Sequence, residues 1–136
     1  MTRGKGTLTG IQLDIMDAVW SAGADGVCGA EIRDHLRRRG RRCSRTTVVT
    51  LLARLKKRGW LEAKTDEADE RRKRYFPARE RNAATDLAIQ EFADEYDPGW
   101  AAEFTAGLLG SGTIKSEDLA RMRKIIDEAM AKEKRK

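Results

Sequence analysis

SRTTVVTLLARLKKRGWL, running from Ser44 to Leu61, has the repeat of a helix with two unlike faces. At 100° per residue, Val48, Leu51, Leu52 and Leu55 fall at i, i+3, i+4 and i+7, one apolar stripe for a core. Thr46, Thr50, Ala53 and Lys57 point the opposite way, with Thr47 and Arg54 on one shoulder. That outer face is made of short hydroxyls and long cations, with one small alanine. A helix needing only a solvated face more often mixes Glu with Lys. Ser44 suits the N-cap, where its hydroxyl accepts an orphan backbone N–H. Gly59 suits the position just past the helix, where a left-handed backbone ends it.

Outward from this helix the charge is one-signed. From His35 to Trp60 there is no Asp or Glu, while Arg37, Arg38, Arg39, Arg41, Arg42, Arg45, Arg54, Lys56, Lys57 and Arg58 all lie inside. Like charges at that density repel one another unless a polyanion neutralises them, which points to nucleic acid. The competing reading is an ordinary amphipathic helix with a basic solvated face. The acid-free surroundings favour a helix that enters a DNA groove.

The upstream sequence supplies two more helices. Residues 1–7 are small, polar and basic, and read as disordered. LTGIQLDIMDAVWSAG then opens with a capping box, Thr9 and Gln12, and a hydrophobic staple between Leu8 and Leu13. Ile11, Ile15, Met16, Val19 and Trp20 form its apolar face, and Gly23 ends it. Asp25-Gly26 is a turn, after which Val27 can add a short strand to a later hairpin. A second helix is expected from Gly29 to Arg39, with Ala30, Ile32 and Leu36 inward and Arg33, Arg37 and Arg38 outward. Gly40 breaks it.

Downstream, WLEAK and KRYFPA are short extended runs around the polar loop TDEADERR, the pattern of a β-hairpin. Pro77 ends the second run or marks it as an edge strand. The loop has an acidic limb, Asp66, Glu67, Asp69 and Glu70, which argues mildly against phosphate binding. Its basic limb, Arg71, Arg72, Lys73 and Arg74, belongs near a DNA backbone. Helix resumes at Glu80, is interrupted at Pro98-Gly99, continues from Trp100 to Leu109, and breaks at Gly110-Ser111-Gly112. A last helix is expected to be capped by Ser116, with Glu117 and Asp118 at the positive end of its dipole. The terminal AKEKRK reads as a charged fray.

The chain of 136 residues carries a net charge of +6. Residues 1–79 hold 19 Lys/Arg against 10 Asp/Glu, and residues 80–136 hold 9 against 12. The halves therefore carry +9 and −3, suggesting that the first meets a polyanion and the second meets protein. The second half has too few large apolar side chains for a core of its own. Yet Leu87, Phe92, Tyr96, Trp100, Phe104, Leu108, Leu119, Met122, Ile126 and Met130 need burial. At about 25 cal/mol per Å², leaving them in water costs many kcal/mol. Packing against a second copy through a self-complementary patch meets that need, and a homodimer is expected. Folding back on the first half is the alternative.

Other chemistry is thin. Cys28 and Cys43 form no CxxC and read as free thiols in a reducing compartment. The single histidine, His35, reads as an ordinary polar residue, so no metal or other cofactor is expected. There is no apolar run of bilayer length and no signal-peptide h-region, so a cytoplasmic protein without a membrane partner is expected. No nucleophile–base pair, paired carboxylates, or Gly-rich phosphate loop suggests an enzyme.

The fold class expected is mainly α with a small β-hairpin. A winged helix-turn-helix DNA-binding domain would span residues 1–79, and a C-terminal helical dimerisation region residues 80–136. Four segments carry a resemblance to a known family: LTGIQLDIMDAVW (Leu8–Trp20), AEIRDHL (Ala30–Leu36), TTVVTLLARLKKRGWL (Thr46–Leu61) and RRKRYFPA (Arg71–Ala78). They resemble the penicillinase repressor (BlaI/MecI) family, whose pattern runs L-T-x-x-E-x-x-V-M-x-x-x-W, T-V-x-T-L-L-x-R-L-x-K-K-G and R-x-x-x-Y. The likeness is close over the first 80 or so residues and holds only in layout beyond them. Gln12 stands where the family usually has Glu, and still serves a capping box.

The resemblance implies a transcriptional repressor that binds a palindromic DNA operator as a homodimer, like regulators of β-lactamase and other antibiotic-resistance genes. It places Thr47, Thr50 and Arg54 on the DNA-reading face of the third helix. Arg45 and Thr46 fall near phosphate at its start, and Arg71 matches the basic residue of the wing. Read with the charge pattern, Lys57 joins the reading face, while Arg42, Arg72 and Lys73 join the phosphate contacts. A regulatory protease is a further partner the resemblance implies, because members controlling β-lactamase genes are cleaved at an Asn-Phe bond. The nearest pair here is Glu103-Phe104, which lacks the Asn. A copper-sensing branch uses cysteines near its C-terminus, and this chain has none there. A non-specific DNA- or RNA-associated winged-helix protein is the alternative function.

Overall fold

The apolar stripe read from Val48 to Leu55 closes the core of a winged helix-turn-helix fold. The computed structural model describes residues 7, 8 and 10–135. Its elements are α1 (Gly10–Ser21), β1 (Val27–Cys28), α2 (Gly29–Arg38), α3 (Arg45–Lys57), β2 (Leu61–Thr65), β3 (Lys73–Pro77), α4 (Arg81–Glu95), α5 (Gly99–Gly110) and α6 (Ser116–Lys134). Two compact units result, residues 1–92 and 93–136. The Thr9–Gln12 capping box and most of the segment expected to be disordered lie outside the described residues.

In the first unit, Val48, Leu52 and Leu55 of α3 are buried with Ile15, Met16 and Val19 of α1 and Ile32 and Leu36 of α2. Leu51 is only partly buried, at the edge of its stripe. Both ends of α3 form as their residues dictate. The Ser44 hydroxyl accepts from the Thr47 N–H at 3.1 Å, and Gly59 takes φ +81° immediately after the C-cap Arg58. That turn delivers Trp60 and Leu61 into the core. Trp60 meets the Trp20 ring edge-on at 6.4 Å, while Arg79 lies over its ring at 4.4 Å.

Leu8 is buried, but Leu13, its expected staple partner, is largely exposed on α1. Ala30, expected inward, is exposed in the first turn of α2, where the chain has only just left the sheet. Ala84 of α4 is buried in the same core and Leu87 packs partly against it, so the first unit extends past the hairpin into α4.

The sheet is antiparallel in the order β1-β3-β2. The short strand expected at Val27 exists and pairs with Tyr75. It makes β3 the central strand, so Pro77 does not mark an edge. Its missing N–H is tolerated because β1 covers only Arg74 and Tyr75, and Pro77 is the last residue of the strand. The turn before β1 depends on Gly26, whose φ is +71°. A Cβ there would sit 2.8 Å from the Phe76 ring and 2.8 Å from the Tyr75 carbonyl oxygen. Gly26→Ala is therefore expected to destabilise the first unit by about 1–3 kcal/mol, combining backbone strain with a clash. Chemical denaturation would show this as a lower midpoint at unchanged slope; an unchanged midpoint would show that the turn relaxes.

In the second unit, α5 and α6 bury no residue at all. Tyr96, Trp100 and Phe104 form an aromatic cluster, with Tyr96 and Phe104 edge-on at 5.4 Å. The last helix starts one residue away from expectation: Lys115 occupies the cap position without a side-chain bond, and Ser116 is the first helical residue. Glu117 and Asp118 still fall in the first turn, where the helix dipole favours them. Helix continues through most of the terminal AKEKRK.

Candidate nucleic-acid interface

With its stripe sealed inside, α3 turns Thr46, Thr47, Thr50, Ala53, Arg54 and Lys57 out to solvent. Arg42 and Arg45 are exposed at its amino end, and Arg71, Arg72 and Lys73 on the hairpin wing. An open groove runs between the start of α2, the length of α3 and the wing. Arg45 and Lys56 of α3 line it together with Arg71, Arg72 and Lys73. One concave basic surface thus joins two segments far apart in sequence. Val49, half exposed on α3, also lines the groove, as does Arg33 of α2. Neither stood out in the sequence, because Val49 belongs to neither of the two faces read for α3 and Arg33 reads as one more outward cation.

The threonine hydroxyls are already oriented. Thr50 Oγ1 donates to the Thr46 carbonyl at 3.0 Å, leaving its methyl group and oxygen lone pairs for a neighbour. Thr47 Oγ1 accepts from the Ser44 hydroxyl at 3.0 Å, leaving its own proton to donate outward. Side by side, one threonine is set to accept and the other to donate.

The acid-free run is less bare than its sequence. Arg39 reaches back to α1, bonding Asp14 at 2.9 Å and Asp17 at 2.5 Å, and Arg41 also pairs with Asp14. Arg37 pairs with Asp34 at 3.4 Å, and Arg58 donates to Gln12 and to the Thr7 carbonyl. Four of the ten cations counted between His35 and Trp60 are thus held by their own chain. No such partner engages Arg38, Arg42, Arg45, Arg54, Lys56 or Lys57 among the described residues. The repulsion inferred from sequence is real for these six and is answered internally for the rest. His35 lies 3.2 Å from Asp17, which also accepts from Arg81 at 2.6 Å.

The acidic limb of the wing has a structural use. Asp66 is buried and accepts from the Ala68 N–H at 2.9 Å and from Arg74 at 3.3 Å. Asp69 accepts from the Arg71 N–H at 3.0 Å. These bonds shape the loop, which weakens the objection to a phosphate-binding wing. Arg74 is drawn the same way: besides Asp66 it donates to the Asp25 and Gly26 carbonyls, tying the wing to the turn before α2. It is a strut rather than a free cation.

Burial alone would raise the Asp14 and Asp17 carboxyls, but the arginines beside them more than offset it and hold both below the usual aspartate value of 3.8. A depressed folded value means that these groups add stability above the unfolded value and lose it as pH falls through the folded one. The first unit is expected to keep constant stability from neutral pH down to about 5 and to weaken below about 4. Asp17→Asn should flatten that acid limb, which a pH series of thermal melts would reveal; an unchanged limb would assign the acid loss elsewhere.

Among the described residues there is no cluster of His, Cys, Asp and Glu able to hold a metal, and no helix is long and apolar enough to cross a membrane. Cys28 and Cys43 are free thiols.

The family model described as penicillinase repressor matches residues 8–128 of the chain. Among solved structures, the chain is similar to S. aureus MepR in a DNA complex, with 19% identity over 76% of this chain and 80% of that one at a TM-score of 0.48. It is also similar to S. aureus MepR bound to ethidium bromide, with 18% identity over 96% of this chain and 82% of that one at a TM-score of 0.45. The transcriptional regulator SlyA gives 16% identity over 88% of this chain and 76% of that one at a TM-score of 0.48. No curated protein matches the chain.

Proposed function

The chain belongs to the penicillinase repressor family of winged-helix transcriptional regulators, and from that premise we propose that it represses transcription by gripping a palindromic DNA operator as a homodimer. The observation that carries this reading is the outer face of α3, where Thr46, Thr47, Thr50 and Arg54 are all open to solvent opposite the buried Val48, Leu52 and Leu55. In the proposed complex α3 lies in the major groove. Thr46, Thr47 and Thr50 meet base edges and thymine methyls, and Arg54 and Lys57 meet guanine or phosphate. Arg42, Arg45, Arg71, Arg72 and Lys73 hold phosphates, fixing the register without reading sequence.

The second copy is proposed from α5 and α6. A 12-residue and a 19-residue helix without one buried residue call for a partner surface. The aromatic cluster around Trp100 and the half-exposed Leu108, Ile126 and Met130 supply it. A two-fold pair presents α3 twice, one or more DNA turns apart, and repression follows by excluding the transcription machinery. The division proposed is a DNA-binding domain over residues 1–79 and a helical dimerising region over residues 80–136, although the start of α4 packs on the first core through Ala84 and Leu87.

Selection of bound sequences from random duplexes tests the reading. The expected product is a palindromic site that outcompetes bulk DNA by about 10³-fold or more. Recovery of no shared sequence, with equal binding to any duplex or to RNA, would favour a non-specific nucleic-acid protein instead.

A further inference from the structure

Among the described residues, Arg33 is an arginine partly seated in the fold without a hydrogen-bond partner for its Nε. It lies on α2, one helical turn past Gly29, and is partly buried. Its Nε is fully buried without a hydrogen-bond acceptor. That nitrogen is sealed from solvent, so its burial seats the guanidinium, while the side chain also lines open surface. Neighbouring arginines show the contrast: Arg37 has Asp34, Arg41 has Asp14, and Arg74 has Asp66. No carboxylate among the described residues serves Arg33.

Its position explains what could. Arg33 lines the groove shared by α2, α3 and the wing, and it also lines a second depression on the other side, with Arg42, Cys43 and Ser44 at the amino end of α3. It therefore stands at the corner between two basic surfaces, beside the point where the recognition helix begins. We propose that Arg33 clamps a DNA backbone phosphate at this α2–α3 corner, its planar fork bridging the two grooves and fixing how deeply α3 enters. The proposal rests on the DNA-binding reading above and adds a contact from a helix not otherwise assigned to the interface. Arginine suits the task because its rigid fork offers several donors to one phosphate, which a lysine cannot match.

The test compares wild type, Arg33→Met, Arg33→Lys and Arg72→Ala by titration of the full chain against a selected operator and against bulk DNA over a salt series. Arg33→Met is expected to bind both DNAs roughly ten- to hundred-fold more weakly. It should also lower the salt slope by about 0.9, the loss of one phosphate contact. Its melting temperature should be unchanged or higher, because a buried unpaired donor has been removed. Arg33→Lys should keep the slope and recover only part of the affinity, and it carries the test if the Met variant fails to fold. Wild-type affinity and slope in both Arg33 variants, with the slope still reduced in Arg72→Ala, would overturn the clamp while leaving DNA binding intact. Salt-independent binding by the wild type would overturn the DNA-binding reading itself.

Discussion

Replacing Trp100 and Phe104 together by serine should turn the proposed dimer into a monomer at micromolar concentration and lower affinity for the proposed operator by about 10²–10⁴-fold. The expectation follows from how the second unit is built. Trp100 and Phe104 are 52% and 44% exposed, on a helix that buries nothing. A side chain of this kind offers roughly 150–250 Å² in all, of which about half is still open to a partner here. At about 25 cal/mol per Å², the two from each copy contribute several kcal/mol to association before its entropic cost. Losing the partner removes the avidity that couples the two half-sites, which commonly amounts to 10²–10⁴-fold. Binding to an isolated half-site should be unchanged, because α3 and the wing belong to the first unit. That contrast separates lost dimerisation from misfolding. Light scattering gives the mass and titration gives the affinity. A double variant that remains dimeric would show that the aromatic cluster of α5 is not the interface.

The second large effect concerns what is read rather than how tightly. Thr50→Ala should reduce discrimination at one base pair of each half-site by about 1–3 kcal/mol, the usual cost of a mismatched pair. The hydroxyl proton of Thr50 is committed to the Thr46 carbonyl, so its outward methyl and lone pairs suit a thymine methyl or a cytosine amino group. Arg72→Ala should behave differently. Arg72 is exposed on the wing, while its backbone N–H and C=O already close the hairpin with Asp69 and Asp66, so the loop survives the substitution. Binding should weaken on every sequence alike, and the salt slope should fall by about 0.9. Equal, sequence-independent losses from both variants would remove Thr50 from the reading face.

Much of this was legible along the chain, and the boundary falls where physics suggests. The two faces of α3, its Ser44 cap and its Gly59 exit are local properties, set within one or two turns, and they hold in the structure. The hairpin and the added strand at Val27 hold for similar reasons. What the sequence hid was long-range. Asp14 and Asp17 sit more than twenty residues before Arg39 and Arg41, so the pairing of these two arginines could not be read from the neighbourhood of the basic run. Arg33 and Arg74 look alike in sequence, yet one is unpaired and the other is a strut, because the fold brings carboxylates and carbonyls only to Arg74. Ala30 is exposed although helical periodicity puts it on the inner face, because periodicity alone does not say where along α2 the core begins.

The central claim is that α3 lies in the major groove, twice per operator. Dimethyl sulfate reports this directly, since it methylates guanine N7 in the major groove and adenine N3 in the minor groove. Protection of guanine N7 is expected in two clusters whose centres lie one helical turn, about 10–10.5 base pairs, or a multiple of it apart. Protection confined to adenine N3, or no protected guanine within a bound operator that contains them, would contradict it.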